Sequence, residues 1–246
     1  MRRYGLIGYP LEHSFSKDYF TSKFRREAID ARYDNFPLKT IDEFPGLIEQ
    51  YPDLAGLNVT MPYKSAVMKY LDDVDKKALH AGAVNVISVV SEGNRKILKG
   101  YNTDIDGFML SLKPMLLRKI QRALVLGTGG ASRAVRAGLD DMGITYSVVS
   151  RYKPRADLTY AELTDEVISN CQLIINATPL GMFPDTENAP DIPYGSLTPD
   201  CILYDLVYKP EKSLFLKLGQ ERGCRIKNGK EMLLIQADKA WEIWKA

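Results

Sequence analysis

Cysteine and histidine are scarce in this chain. Its three cysteines, Cys171, Cys201 and Cys224, stand far apart and are odd in number. They make neither a disulfide framework nor a zinc-ligand spacing, which points to a reducing compartment. Two histidines, His13 and His80, are too few for a histidine-based metal site or relay, and His13 reads as a hydrogen-bonding structural residue. No metal is expected. An excess of one charge sign is also missing: 33 basic residues against 31 acidic leave a net charge of +2. Nucleic acid is therefore not an expected partner, and a small molecule is. No apolar run approaches the roughly 20 residues of a membrane span. The N-terminal MRRYGLIGYPLEHS has too short an apolar stretch for a secretory signal. The chain reads as cytoplasmic, with no membrane partner.

What is present is an alternation. Hydrophobic residues make up 45% of 246, enough core for one large or two modest domains. Short apolar runs such as YGLIGYP, LAGLNVT, ALVL, CQLIINAT and CILYDLV read as strands, separated by amphipathic helical runs. AVNVISVV and RKILKGY flank SEGN, a hairpin signal. Ser14 or Ser16 is expected to cap the first helix. Pro62 is expected to open a helix through Leu71, with Lys64 in its first turn, where the helix dipole disfavours a cation. LTYAELTDEVISN reads as a further helix, and GMFPDTENAPDIPYG as a mobile loop. Alternating strands and helices predict an α/β fold with largely parallel sheets. The domain boundary is expected near 101–104, with the last helix returning to the first domain.

LVLGTGGASRA sets Gly127, Gly129 and Gly130 where a strand meets a helix, the arrangement that lets a backbone approach a diphosphate at a helix N-terminus. Ser132 stands where a third Gly or Ala is usual. The following strand ends SVVSRYKPR. An NAD site places an acid there for the ribose hydroxyl; here Ser150 and Arg151 stand instead, with Lys153 and Arg155 beyond. Arginine suits a phosphate because its planar fork is bidentate and always charged. NADP(H) is the expected cofactor. Four polar segments fall at other strand ends or turns: Ser14 and Ser16; Asn58, Thr60 and Lys64; Asn85; and Asn102, Thr103 and Asp104. Hydroxyls and amides at such an edge suit a small, hydroxyl-rich substrate.

GYPLEHSFS, GLNVTMPYK, GAVNV, GYNTDIDGF, GTGGASRA, INATPLGM, DLVYKPEKSLFL and NGKEMLLIQA, in this order, resemble the successive motifs of the shikimate dehydrogenase family and span essentially the whole chain. The resemblance implies NADPH-dependent, reversible reduction of 3-dehydroshikimate to shikimate, a step of chorismate and aromatic amino acid biosynthesis. It implies an N-terminal α/β substrate domain and a Rossmann-type NADP-binding domain, with the active site in the cleft between. The expected division is 1–103 with 233–246 for the first and 104–232 for the second, as a monomer or homodimer. Carried over, Ser14 and Ser16 would hold the substrate carboxylate. Asn58, Thr60, Asn85 and Asp104 would hold its hydroxyls with Lys64, and Tyr208 and Gln236 would close on it. Gly127, Thr128, Gly129, Gly130 and Ala131 would bind the diphosphate. Ser150, Arg151 and Arg155 would take the adenosine 2′-phosphate. Thr178, Leu206, Gly229 and Met232 would complete the cofactor site. Lys64 and Asp104 would be the catalytic pair. Two other readings remain: an NAD-using quinate/shikimate dehydrogenase, and a non-catalytic NADP-binding module of the same fold.

Overall fold

The computed structural model describes residues 1–11, 14–93 and 95–246, so the reading of His13 lies outside the described residues, as does Asn94 of the SEGN turn. The chain forms two compact units, Met1–Thr103 with Ala237–Ala246, and Asp104–Gln236. Among the described residues no helix is long and apolar enough to cross a membrane.

The first unit comprises β1 (Arg2–Gly8), α1 (Phe15–Arg26), β2 (Ala31–Pro37), α2 (Phe44–Gln50), β3 (Leu54–Val59), β4 (Asp73–Val74), α3 (Lys76–Ala81), β5 (Val86–Glu92) and β6 (Arg95–Tyr101). Its sheet runs β2-β1-β3-β5-β6-β4. β1 is parallel to both neighbours, whereas β5 is antiparallel to β3 and β6. Alternate residues of β1 go to opposite faces, as strand pleating requires. Tyr4 and Leu6 join Phe20, Phe24 and Tyr33 on one side, and Ile7 joins Phe44, Leu57 and Ile87 on the other. Trp244 closes the first of these clusters and donates its indole N–H to the Ile87 carbonyl at 3.0 Å. A Cβ at Gly56 would lie 2.3 Å from the Trp244 ring, so this position tolerates only glycine without a backbone shift.

The second unit comprises α4 (Asp104–Leu112), β7 (Ala123–Leu126), α5 (Gly130–Asp141), β8 (Tyr146–Ser150), β9 (Leu158–Thr159), α6 (Asp165–Ser169), β10 (Leu173–Asn176), β11 (Ile202–Asp205), α7 (Leu214–Glu221), β12 (Arg225–Asn228) and the start of α8 (Lys230–Lys245). Its sheet is wholly parallel, in the order β12-β11-β10-β7-β8-β9. β7, β10 and β11 are buried throughout, the mark of a sheet covered on both faces. The chain runs from β7 outward to β8 and β9, then returns to β10 and runs the other way. The switch point therefore falls beside β7, where open α/β sheets bind ligands.

Two expected helices take other forms. Residues after Pro62 make a turn, with the Tyr63 N–H bonded to the Thr60 carbonyl, and only Ala66–Tyr70 is helical, as 3-10. Lys64 is thus not in the first turn of an α-helix, and the dipole argument for it falls. The LTYAELTDEVISN run divides into β9, a 3-10 turn at Tyr160–Glu162 and the five-residue α6. Thr159 makes a capping box with Glu162, and Thr164 caps α6. Two starts so close together leave no room for one continuous helix. The 181–195 loop contributes Ile192 to the core, packed with Leu163, Leu197 and Phe215.

Candidate active site

In the first unit the polar segments share one edge of the sheet. The β1, β3 and β6 strands end there. Because β5 is antiparallel, its N-terminal end lies there too, with Val86 opposite both Asn58 and Tyr101. A wholly parallel sheet would have put the residue before β5 at the far edge. Asn85 instead sits beside Asn58, whose Nδ2 donates to the Asn85 carbonyl at 3.4 Å. The Asn85 side chain donates to Thr103 Oγ1 at 3.0 Å and accepts from the Thr103 N–H at 2.7 Å. Asn102 Nδ2 donates to the Ala83 carbonyl at 2.8 Å. Asn58, Asn85, Asn102 and Thr103 are all buried, so these bonds are what makes amides tolerable there. Thr60 and Lys64 follow on the same turn. The Thr60 N–H donates to the Ile7 carbonyl at 2.9 Å, and the Lys64 carbonyl accepts from the Val84 N–H at 2.7 Å.

Ser14 is the cap of α1, its Oγ accepting from the Lys17 N–H at 3.2 Å. Ser16 lies in the first turn of α1 and is half-buried. The Tyr33 hydroxyl donates to Asn58 Oδ1 at 2.6 Å. Tyr33 is the Asn58 partner that sequence reasoning missed. It sits in an aromatic-rich strand, with nothing local to separate it from core.

In the second unit, Gly127 follows β7 with φ +110°, a conformation that favours glycine. A Cβ there would meet the Ala177 carbonyl at 3.0 Å. Gly129 caps α5, and a Cβ on it would meet nothing within 4 Å, so the backbone is open to a diphosphate. The side chain of Ser132 is buried and donates to the Gly127 carbonyl at 2.7 Å. The residue that departs from the glycine pattern thus braces the turn. Thr128 and Ala131 flank these positions in the same turn, both half-buried.

At the end of β8, Ser150 Oγ accepts from the Tyr152 N–H at 3.2 Å. Arg151 and Arg155 are exposed, the first two residues before the short Lys153–Arg155 turn and the second at its end. Lys153 leaves the candidate set, since its ammonium pairs with Glu162 at 2.7 Å and pulls that carboxyl down to about 2. The nearest acid, Asp157, accepts the Val148 N–H at 2.8 Å.

Under the remaining cofactor candidates lies a buried polar network. Asn176 Oδ1 accepts both the N–H and the hydroxyl of Thr178, at 3.0 and 2.6 Å. Asn176 Nδ2 donates to Asp205 Oδ1 at 3.0 Å, and Asp205 also accepts from the Val207 N–H at 3.0 Å and from Ser213. A polar residue ending an apolar strand was the signal at Asn58, and it would have found Asn176 and Asp205 as well. Gly229 packs on Leu206, whose carbonyl would lie 2.2 Å from a Cβ, so this glycine serves backbone approach. Met232 is buried against the core with Phe108. Gln236 is buried and donates to the Leu233 carbonyl at 2.9 Å. Its Cβ lies 3.3 Å from the place a Cβ would take on Gly107. Asp104, three residues before Gly107 on α4, is buried in the first turn, where the dipole favours an acid. Tyr208 is partly exposed, and burial of its ring pushes the phenol up.

Burial raises the Asp205 carboxyl from 3.8 to about 6, although Ser213, Val207 and Asn176 pull it the other way. The folded chain therefore holds this proton more tightly than the unfolded chain. The resulting stability is fully present below about pH 4 and is lost as pH rises through about 6. A shift of this size corresponds to on the order of 2–3 kcal/mol. Asp205→Asn is expected to flatten the pH dependence of urea-unfolding free energy across that window; an unchanged slope would assign it to other groups.

A strand, glycine turn and helix at the switch point of a parallel sheet, joined to a second α/β unit with a polar edge, define a dinucleotide-binding α/β protein. Comparison with known proteins gives the family. The model of the shikimate dehydrogenase substrate binding domain matches residues 6–87. The NADP(+) shikimate dehydrogenase of Symbiobacterium thermophilum is 37% identical, over 98% of this chain and 87% of that protein. The crystal structure of shikimate dehydrogenase 1 from Peptoclostridium difficile superposes with a TM-score of 0.85 at 37% identity, covering 100% of this chain and 92% of that one. The enzyme from Thermus thermophilus, solved with NADP(H) and shikimate, gives 0.87 at 30% identity, covering 99% and 93%. The chain belongs to the shikimate dehydrogenase family.

Proposed function

We propose that this chain catalyses the reversible, NADPH-dependent reduction of 3-dehydroshikimate to shikimate. The observation that carries the reading is the hydrogen-bonded edge from Tyr33 through Asn58 and Asn85 to Thr103, in a chain that also holds the glycine turn and the arginines after β8. NADPH supplies the hydride. The residues of this chain bind, orient and supply the proton. Backbone groups at 127–131 and the N-terminus of α5 hold the diphosphate, and Arg151 and Arg155 hold the 2′-phosphate. Thr178, Leu206 and Gly229 border the nicotinamide, with Met232 behind them.

The Ser14 cap uses an oxygen lone pair and leaves its proton for an acceptor. With Ser16 and the positive end of α1, it can hold a carboxylate without an arginine. Asn58, Thr60 and Asn85 take the ring hydroxyls, with Tyr208 and Gln236 as further ligands. Lys64 donates a proton as charge develops on the carbonyl oxygen, and Asp104 steadies the ammonium and the neighbouring hydroxyl.

The direct test is oxidation of shikimate with NADP, followed as NADPH absorbance. No turnover by folded protein would defeat the reading. Ser16→Ala is expected to raise the KM for shikimate about tenfold while leaving the KM for NADP unchanged, the effect of losing one hydrogen bond to a charged group. An equal rise in both constants would remove Ser16 from carboxylate recognition.

A further inference from the structure

We propose that Asp205 is a positioning residue that locks the turns after β10 and β11 into one wall for the nicotinamide half of NADP; this rests on the cofactor site proposed above. Asn176 and Asp205 end β10 and β11 and pair in register. Each side chain turns back on its own chain. Asn176 Oδ1 accepts the Thr178 N–H, and Asp205 Oδ1 accepts the Val207 N–H, both at 3.0 Å. Each thus closes a turn two residues on, as Asn and Asp side chains can. One further bond joins the two turns: Asn176 Nδ2 donates to Asp205 Oδ1 at 3.0 Å.

Donor counting fixes the arrangement. The Asn176 nitrogen also donates to the Leu180 carbonyl at 3.2 Å, while its oxygen takes the Thr178 N–H. Turning the amide over would set oxygen against oxygen at the first contact and donor against donor at the second. Asp205 Oδ1 therefore faces two N–H groups, and Oδ2 faces the hydroxyl of Ser213, the cap of α7. Asn176 and Asp205 are fully buried. An apolar pair would fill the same space without the cost of burying a carboxylate. What the polar pair adds is control of the two turns. The first brings the Thr178 methyl to 3.0 Å from the place of a Cβ on Gly127. The second sets the Leu206 carbonyl against Gly229, whose N–H donates to the Val207 carbonyl at 3.3 Å. Thr178, Leu206 and Gly229, the positions expected at the nicotinamide, are thus tied through one carboxylate. Arg151 and Arg155, expected at the 2′-phosphate, follow β8, which β10 and β7 separate from β11.

Asp205→Leu removes both acceptor oxygens at similar volume. Binding is read well above the value of about 6 to which burial raises this carboxyl, so that the wild type is ionised. Fluorescence titration is expected to show NADP bound about tenfold more weakly by the variant. Adenosine 2′,5′-bisphosphate has the 2′-phosphate end and no nicotinamide, and its affinity should stay within about twofold of the wild type. Asp205→Asn keeps an oxygen toward the two N–H groups and should restore NADP binding to within about threefold. Equal losses for both ligands, or no loss for NADP, overturns the proposal. A measurement on the wild type covers a leucine variant that does not fold. Without ligand, the Thr178 and Val207 amides should exchange hydrogen within about tenfold of the Ile175 and Tyr204 amides in the strands. Exchange of either at the rate of an unstructured chain overturns the proposal. Wild-type protein that binds NADP but does not oxidise shikimate would defeat the reaction proposed above, and these binding and exchange measurements would still decide the role of Asp205.

Discussion

Lys64→Ala is expected to lower kcat by on the order of 10²–10⁴-fold, with a smaller change in the KM for shikimate. The reasoning is chemical. Hydride addition to a ketone makes an alkoxide, and a positioned ammonium stabilises that charge and can supply the proton. Asp104→Asn keeps the shape and a hydrogen-bonding group at the head of α4 but removes the charge. It should also lower kcat. If the two residues serve one transition state, the double variant should be little worse than the worse single one. NADP affinity should survive in all three, measured by fluorescence titration, because the glycine turn and the arginines after β8 are untouched. Near-normal kcat in Lys64→Ala would make Lys64 an ordinary surface lysine and end the mechanism proposed here.

The second large effect concerns cofactor choice. Arg151→Ala should raise the KM for NADP by roughly tenfold to a hundredfold, about 1.5–3 kcal/mol for a charge-assisted hydrogen bond, and barely alter the KM for NAD. Two facts sharpen this expectation. Lys153 is held by Glu162 and cannot easily substitute. Asp157, the acid closest in sequence, spends a carboxylate oxygen on the Val148 N–H, which leaves it poorly placed to take over a ribose hydroxyl. Equal losses with both cofactors would show that Arg151 shapes the loop and does not read the phosphate.

Much of this was legible in the residues. Strand, glycine turn and helix in close succession predicted the parallel sheet and the Gly127 turn, because backbone reversal at a positive φ leaves a strong mark in composition. Polar residues at strand ends and turns pointed to Asn58 and Asn85. The rest depended on distance in sequence. Tyr33 reaches Asn58 only because β1 lies between β2 and β3, and strand order is not written in any local window. Lys153 resembled a third phosphate ligand until Glu162 was found beside it. The helix read after Pro62 failed for another reason. Tyr63, Val67 and Tyr70 recur at a spacing that suits one face of an α-helix, but a turn followed by one 3-10 stretch buries Val67 and Tyr63 equally well.

The reversal of β5 also determines where this chain can accept foreign sequence. The β5–β6 ladder runs from Val86 opposite Tyr101 to Glu92 opposite Arg95. At about 3.4 Å per residue, its far end stands roughly 24 Å from Asn85. Among the described residues of that tip, Gly93 has a φ of +61° and open space around its missing Cβ. An affinity peptide or fluorophore attached there would sit on the opposite rim of its sheet from Asn58 and Asn85. The enzyme could then be tethered to a surface, or followed in single molecules, while its chemistry proceeds undisturbed.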